Sequence, residues 1–310
     1  MTARQIPAIA PGSAEWLRYM SASKISAVLG LSPWESPYSL WCQMAGLVQR
    51  DEQTKAQARG HYLETSIANW MRDQHPEYEL APGGCWINED RPWQLASPDG
   101  RFLADGRLVD LAEYKTDADG SGWGEPGTDE VPLYYRAQAL WQMDTLGVSQ
   151  VRFGVLTGRL EFREYVVDYD ADDVRIMRER AEDFLDSLLW QEMPDLDAHP
   201  ATYEAVRFLH PDIADKKDPL ADVAVDDDLA AEFLTALAEA DAASERMQAA
   251  RTRLLGAMGS ARRARWNGYT LATRQAKGGG TPYLVAGRNL PAAPAADMTF
   301  SDIALNGVAA

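Results

Sequence analysis

Four side chains carry the chemistry that this sequence offers most plainly: Glu64, Asp99, Glu113 and Lys115. Asp99 stands in the run Ser97-Pro98-Asp99-Gly100, and Glu113-Tyr114-Lys115 follows after thirteen intervening residues. Successive side chains on a strand alternate between faces, so Glu113 and Lys115 share one face, with Val109 and Leu111 lower down on it. A carboxylate and an ammonium at the end of an apolar stripe make an odd core. They make sense where a sheet edge opens into an active site. Hydrolysis of a phosphodiester needs an attacking water, screened phosphate oxygens and a stabilised leaving oxygen, and one or two Mg²⁺ ions supply all three. Mg²⁺ takes near-octahedral oxygen ligands, usually one or two carboxylates with phosphate and water. Asp99 and Glu113 would be those carboxylates, the Tyr114 carbonyl a further oxygen, and Glu64 the completing ligand from an upstream helix. Lys115 would orient the water or screen the phosphate. The plainer reading is a surface hairpin bearing a Glu–Lys pair. Three features favour the site: the Asp follows Pro at a turn, the strand is apolar, and a carboxylate lies on the helix before it.

The elements that must position these groups are legible as alternating helix and strand patterns over the first two hundred residues. SASKISAVLG reads as a short helix ended by Gly30, and Ser36-Pro37 as the N-cap and first turn of the next. Residues 54–74 read as a helix with Tyr62, Leu63, Ile67, Trp70 and Met71 as its apolar stripe, ended by His75-Pro76. CWINEDRPWQLAS reads as two short strands. RFLADGRLVDLAEYKT reads as a hairpin bent at Asp105-Gly106. Pro132 opens a helix closed by Gly147, two strands follow, and residues 171–193 form a long amphipathic helix. Residues 211–228 are rich in Asp and Pro and read as a linker. A helix from Leu229 to Met258 comes next, with an acidic first turn and a basic last turn as its dipole prefers. WNGYTLATRQ resembles one strand, and the tail from Gly278 onward looks poorly ordered. The expected division is 1–200 as core, 201–228 as helix and acidic linker, and 229–310 as a C-terminal extension.

Composition bounds the rest. The chain has 310 residues, 46% hydrophobic and 25% charged, which is two domains' worth of ordinary globular protein. Its net charge of −17 argues against a uniformly basic nucleic-acid coat, but not against one local channel. From Arg246 to Lys277 there are eight basic residues and no acid, so this segment carries +8 and the remainder −25. It reads either as a solvated helix end and loop or as a contact for nucleic acid or an acidic partner. Cys42 and Cys85 make no disulfide framework and no C-x-x-C, which argues against structural zinc and for a reducing cytoplasm. No apolar run reaches membrane-span length and no signal peptide is evident.

The motifs together resemble a known family. SPDG and EYK, with Gly60-His61-Tyr62-Leu63-Glu64 upstream, are similar to the PD-(D/E)-x-K nuclease superfamily. The run WLRYMSASKISAVLGLSPWESP narrows this to the YqaJ-like viral recombinases, relatives of phage lambda-type exonucleases, over roughly residues 13–195. The resemblance implies an α/β (α+β) fold of restriction-endonuclease type: a mixed sheet flanked by helices, here with a C-terminal helical extension. It implies a Mg²⁺-dependent 5′→3′ exonuclease on double-stranded DNA ends that leaves 3′ single-stranded tails, with Mn²⁺ as a substitute metal. Glu64, Asp99 and Glu113 match the metal carboxylates and Lys115 the motif lysine. Arg18, Ser23, Ser97 and Gln138, with Gln142 as the alternative to Gln138, match a pocket for the 5′ phosphate. Tyr114 replaces the usual Ile or Val, with its side chain on the other face. The resemblance also implies a ring homo-oligomer and a single-strand annealing protein as partner. Two other readings stand beside it: an endonuclease or single-strand nuclease of the same superfamily, and an inactive DNA-end-binding recombination partner.

Overall fold

Helix starts and turns fall where local chemistry places them. Ser36 caps a helix by accepting from the Ser39 amide, with Pro37 in the first turn, where its missing N–H costs nothing. Asp105 and Gly106 both adopt positive φ (49° and 74°), the geometry of a two-residue hairpin turn. Gly147 closes its helix at φ 73°.

The computed structural model describes residues 3–49, 55–118, 122–215, 222–287 and 290–291. In chain order the elements are β1 (Ala3–Ile6), a 3₁₀ turn (Trp16–Arg18), β2 (Met20–Ser21), α1 (Ala22–Val28), α2 (Pro37–Met44), α3 (Lys55–Gln74), β3 (Glu79–Pro82), β4 (Cys85–Asn88), β5 (Gln94–Ala96), β6 (Gly100–Ala104), β7 (Arg107–Asp117), α4 (Leu133–Leu146), β8 (Gln150–Thr157), β9 (Phe162–Asp168), α5 (Ala171–Trp190), α6 (Pro200–Leu209), α7 (Asp227–Met258), β10 (Arg263–Trp266), β11 (Tyr269–Gln275) and β12 (Tyr283–Ala286). They fall into two units, residues 1–213 and 214–310.

The first unit is a mixed α/β domain. Its main sheet has the order β3-β6-β7-β8-β9, and a second, smaller sheet runs β1-β4-β5-β2. β7 and β8 pair in parallel, with α4 as the crossover between them, while the other pairs of the main sheet are antiparallel. The strand alternation puts Leu111, Phe153 and Val155 on one face, in one core with Leu140 and Trp141 of α4. Phe102, Ala112 and Leu156 lie on the other face, against Ile67 and Met71 of α3. Gly154 allows that second contact: a Cβ there would lie 2.5 Å from the Met71 sulfur. The far end of α4 is locked by Asp144. Fully buried, it accepts from Arg91 (2.9 Å), Gln94 (2.9 Å) and the Tyr169 hydroxyl (3.1 Å). A buried carboxylate is tolerable only when its acceptor sites are filled in this way.

Several sequence expectations are corrected here. Tyr62 is 84% exposed and leaves the α3 stripe, because it sits about 100° around the helix from Leu63. The β6–β7 register slips by one residue at Val109, so Leu108 rather than Val109 packs beside Leu111 in the α4-side core. Pro132 is the N-cap of α4 and not its first helical residue. α6 belongs to the first unit: Ala205 is buried and the Thr202 hydroxyl bonds that of Ser36 at 2.6 Å.

The second unit consists of α7 and a small antiparallel sheet, β10-β11-β12. Leu254, Leu255 and Met258 of α7 pack on Ala264, Ala272 and Leu284. WNGYTLATRQ is not one strand. Asn267 and Gly268 take positive φ (45° and 82°) and turn the chain into a hairpin, as an Asn-Gly pair does. The tail is not uniformly irregular either, since Tyr283–Ala286 pairs with β11. Its last residues, 292–310, lie outside the described part, as do 216–221 of the linker. Among the described residues no helix is long and apolar enough to cross a membrane.

Candidate active site

The site lies where two strands part. β6 and β7 pair up to Gly100 opposite Ala112, and no further. β7 continues for five more residues against β8, as far as Asp117. Past the fork, the Tyr114 amide donates to the Asp99 carboxylate at 2.7 Å, so a side chain takes the place of a strand carbonyl. Gly100 is needed next to it, because a Cβ there would stand 2.4 Å from the Tyr114 hydroxyl. This gives a physical reason for the Gly that follows Asp in SPDG.

Glu113 and Lys115 share the α4 face of β7, and Tyr114 points to the α3 face, as alternation requires. Glu113 is 1% exposed. Its two oxygens are held by three donors: Lys115 Nζ at 2.6 Å and Gln138 Nε2 at 2.9 Å on Oε2, and Gln142 Nε2 at 2.6 Å on Oε1. The two glutamines are one helical turn apart, so α4 presents both to the same carboxylate. Lys115 also lies 4.9 Å from the centroid of the Tyr135 ring. That ring begins an aromatic chain to the surface, since Trp34 sits 6.4 Å from Tyr135 and 5.0 Å from Tyr134 and is 62% exposed.

Glu64 and Asp99 line one cavity of about 250 Å³ with Arg72, Pro82 and Tyr114. Glu64 accepts from or donates to His61 Nδ1 at 2.8 Å, according to which group holds the proton. Burial, the Glu113 charge and then Glu64 push the Asp99 carboxyl up to about 8, against the opposing pull of Lys115 and the Tyr114 amide. Burial draws the Lys115 ammonium downward, but Glu113 and Asp99 outweigh it and hold its pKa above the ordinary lysine value. Burial, followed by the Asp99 and Glu113 charges, raises the Tyr114 phenol.

The donors fit a hard divalent cation in kind. They are carboxylate oxygens, and Asp99 carries a charge that its surroundings oppose. They do not form a closed cage: among the described residues no group of three His, Cys, Asp or Glu side chains is placed to hold one ion together. The buried Oε1 of Gln142 has no hydrogen-bond partner among the described residues, so the polar demand around Glu113 is not fully met.

The remaining candidates are placed differently. β2 and β5 pair in parallel, Ser21 opposite Leu95, so Ser23 and Ser97 follow the same ends of adjacent strands. Both are exposed. Arg18 is exposed at the opposite end of β2, and among the described residues no hydrogen bond joins it to Ser23, Ser97 or Gln138. Gln138 and its alternative Gln142 are both brought to Glu113.

Sequence reasoning passed over Lys24. It is fully buried, donates to the carbonyls of Trp16 (2.7 Å) and Tyr19 (2.6 Å), and lies 3.7 Å over the Trp16 ring. It therefore fastens the turn that carries Arg18. Sequence reasoning also passed over Tyr135, although its place three residues before Gln138 on α4 puts the two on one helix face.

This fork and its motif residues fall inside a stretch with a family match. Residues 15–149 match the YqaJ-like viral recombinase domain. The candidates Arg18, Ser23, Glu64, Ser97, Asp99, Glu113, Lys115, Gln138 and Gln142 all lie within the matched stretch. Among solved structures, an alkaline exonuclease (LHK-Exo) from Laribacter hongkongensis is 19% identical, with 58% of this chain and 92% of that one covered and a TM-score of 0.44. LHK-Exo in complex with dAMP gives the same identity and coverage and a TM-score of 0.45. A phage related exonuclease from Haemophilus somnus 129PT is 14% identical over 56% of this chain and 96% of its own, with a TM-score of 0.43. No curated protein matches the chain.

Gln142 offers a direct test of how Glu113 is held. Gln142→Leu removes one donor from a buried carboxylate and should cost about 1–3 kcal/mol of stability. If Glu113 serves a catalytic centre, its activity should fall about 10–100-fold, the usual cost of losing an orienting partner. Urea unfolding and a cleavage assay on the same preparation check both, and wild-type values in each would show that Glu113 needs no such partner.

Proposed function

We propose that this protein is a Mg²⁺-dependent 5′→3′ exonuclease of phage or prophage recombination that digests one strand of a DNA duplex and leaves a 3′ tail. The observation that carries the reading is the pairing of Glu113 and Lys115 on one face of β7, at the strand fork that also holds Asp99. Glu64, Asp99, Glu113 and the Tyr114 carbonyl would hold the metal, which when bound would activate water and screen the phosphate.

The chain's own residues do the rest. Lys115 stays protonated at neutral pH and offers an N–H to a phosphate oxygen. Gln138 and Gln142 keep Glu113 oriented. Arg18, Ser23 and Ser97 would receive the 5′ phosphate, with a guanidinium and two hydroxyls as donors and Gln138 at the boundary with Glu113. Lys24 positions Arg18 by fixing its turn. Duplex DNA ends are the substrate in this reading. A ring-shaped homo-oligomer and an annealing protein as partner follow from the family resemblance, and a reducing cytoplasm from the use of Cys42 and Cys85.

Digestion of end-labelled linear duplex tests the reading. The 5′-phosphorylated strand should be degraded with Mg²⁺ and survive in chelator, while a closed circle stays intact. Loss of the circle would instead favour an endonuclease. Arg18→Ala should slow digestion of 5′-phosphorylated ends about tenfold more than of 5′-hydroxyl ends, as the loss of a charge-assisted bond predicts. Equal slowing on both ends removes Arg18 from the pocket.

A further inference from the structure

The eight cations between Arg246 and Lys277 play no part in the site above, and the fold of the second unit gives some of them a common face. β10 alternates in exposure, and its pairing with β11 shifts register between Ala264 and Arg265. Ala264 turns inward to α7, and Arg263 and Arg265 turn outward and are exposed. Residues directly opposite on antiparallel strands share a face. Arg263 lies opposite Thr273, and Gln275 of β11 lies opposite Tyr283 of β12. The outer face of the sheet therefore holds Arg263 and Arg265 of β10, Thr270, Thr273 and Gln275 of β11, and Val285 and Tyr283 of β12, with Tyr283 49% exposed. Among the described residues no carboxylate forms an ion pair with any cation of this segment. Arg265 makes one contact on this face, to the Gly268 carbonyl at 3.2 Å.

We propose that this outer face is a binding site for single-stranded DNA. Its charge is opposite to that of a phosphate backbone, in a chain that is otherwise strongly acidic. The tyrosine selects the single strand. A ring on an open sheet can stack on an unpaired base, whereas a duplex shows its base faces only at its ends. Thr273 and Gln275 add hydrogen-bond groups with no sequence demand. The choice of DNA over RNA rests on the nuclease reading, because that reaction releases a single-stranded DNA tail.

The test measures binding by the full-length chain in chelator, so that no cleavage is possible. The probes are a fluorescent oligothymidylate of about twenty nucleotides, an oligouridylate of the same length and a blunt duplex hairpin, sizes that cover the span of a small binding fold. Arg263→Gln with Arg265→Gln should weaken oligothymidylate binding at least about tenfold and lower the slope of log affinity against log salt by about 1.4, or 0.7 per lost phosphate contact. Tyr283→Ala should weaken it about 5- to 150-fold, the value of one base stack. For Tyr283→Ala, duplex affinity should change less than about twofold, because the duplex offers this face no stack.

Circular dichroism of each variant checks the fold, and neutral glutamine at exposed strand positions leaves it undisturbed. Unchanged oligothymidylate binding overturns the proposal. An equal loss on the duplex for Tyr283→Ala, or preference for the uridylate, overturns it as well. Digestion of duplex DNA by the same variants in Mg²⁺ is scored separately. A chain that binds the single strand but cuts nothing refutes the nuclease reading and leaves this surface standing.

Discussion

Lys115→Ala should lose DNA cleavage by about 10³-fold or more while keeping its fold and its hold on DNA, since the proposed reaction gives Lys115 the charge that develops on the phosphate to screen. The fold survives because Glu113 keeps Gln138 and Gln142 as donors after the lysine is gone. The stability cost should be about 1–3 kcal/mol, that of one lost partner on a buried acceptor. Lys115→Arg is the informative control. A guanidinium retains the charge but not the compact geometry between Glu113 and the Tyr135 ring, so little activity should return. Single-turnover cleavage and anisotropy on the same duplex read the two properties apart. Wild-type cleavage by Lys115→Ala would remove the Glu-x-Lys motif from the reaction.

The second large effect belongs to Asp99→Asn, which should abolish Mg²⁺-dependent cleavage to a similar degree and yet steady the metal-free protein at alkaline pH. The sign follows from the raised carboxyl. In the folded chain Asp99 titrates at about 8, pushed there by burial and by Glu113, and in the unfolded chain at about 3.9. Between these values the folded state holds a proton that the unfolded state has released. Unfolding free energy therefore falls as pH rises, and the contribution present below about pH 4 is gone above about pH 8. An amide carries no such proton. Thermal melts in chelator should thus show the wild type losing ground to Asp99→Asn from pH 6 to pH 8. Added Mg²⁺ should raise the wild-type midpoint at pH 8 and leave that of the variant nearly unmoved, since only a ligand bound to the folded state stabilises it. Parallel melting curves for the two proteins, with and without metal, would mean that Asp99 is not a cation ligand.

Much of this was readable in the residues themselves. Alternation along β7 separates Glu113 and Lys115 from Tyr114 without any structure, and the Asp105-Gly106 turn announces the hairpin that carries them. The paired glutamines sit at i and i+4, so their common target is implied even though its identity is not. The slip at Val109 was hidden because Leu108 and Val109 are both apolar, and an inserted residue leaves no mark where either neighbour would serve the core. Tyr62 entered the helical stripe by type alone, when its angle around the helix places it in water. The Asn267-Gly268 turn is a strong short-range signal that was overlooked because the strand before it is only four residues long. Lys24 could not be foreseen, since nothing in SASK says that its ammonium will be spent on the carbonyls of a preceding turn.

The amide of Tyr114, which answers to a side chain where a neighbouring strand would otherwise serve, has a practical use. Its proton rests on Asp99, so its nitrogen and proton chemical shifts report the electrical state of that carboxylate directly. Isotope-labelled protein titrated with Mg²⁺ or acid would display occupancy and protonation at a single backbone resonance. The fork in the sheet thereby supplies a native spectroscopic gauge that works with no DNA present and no turnover at all.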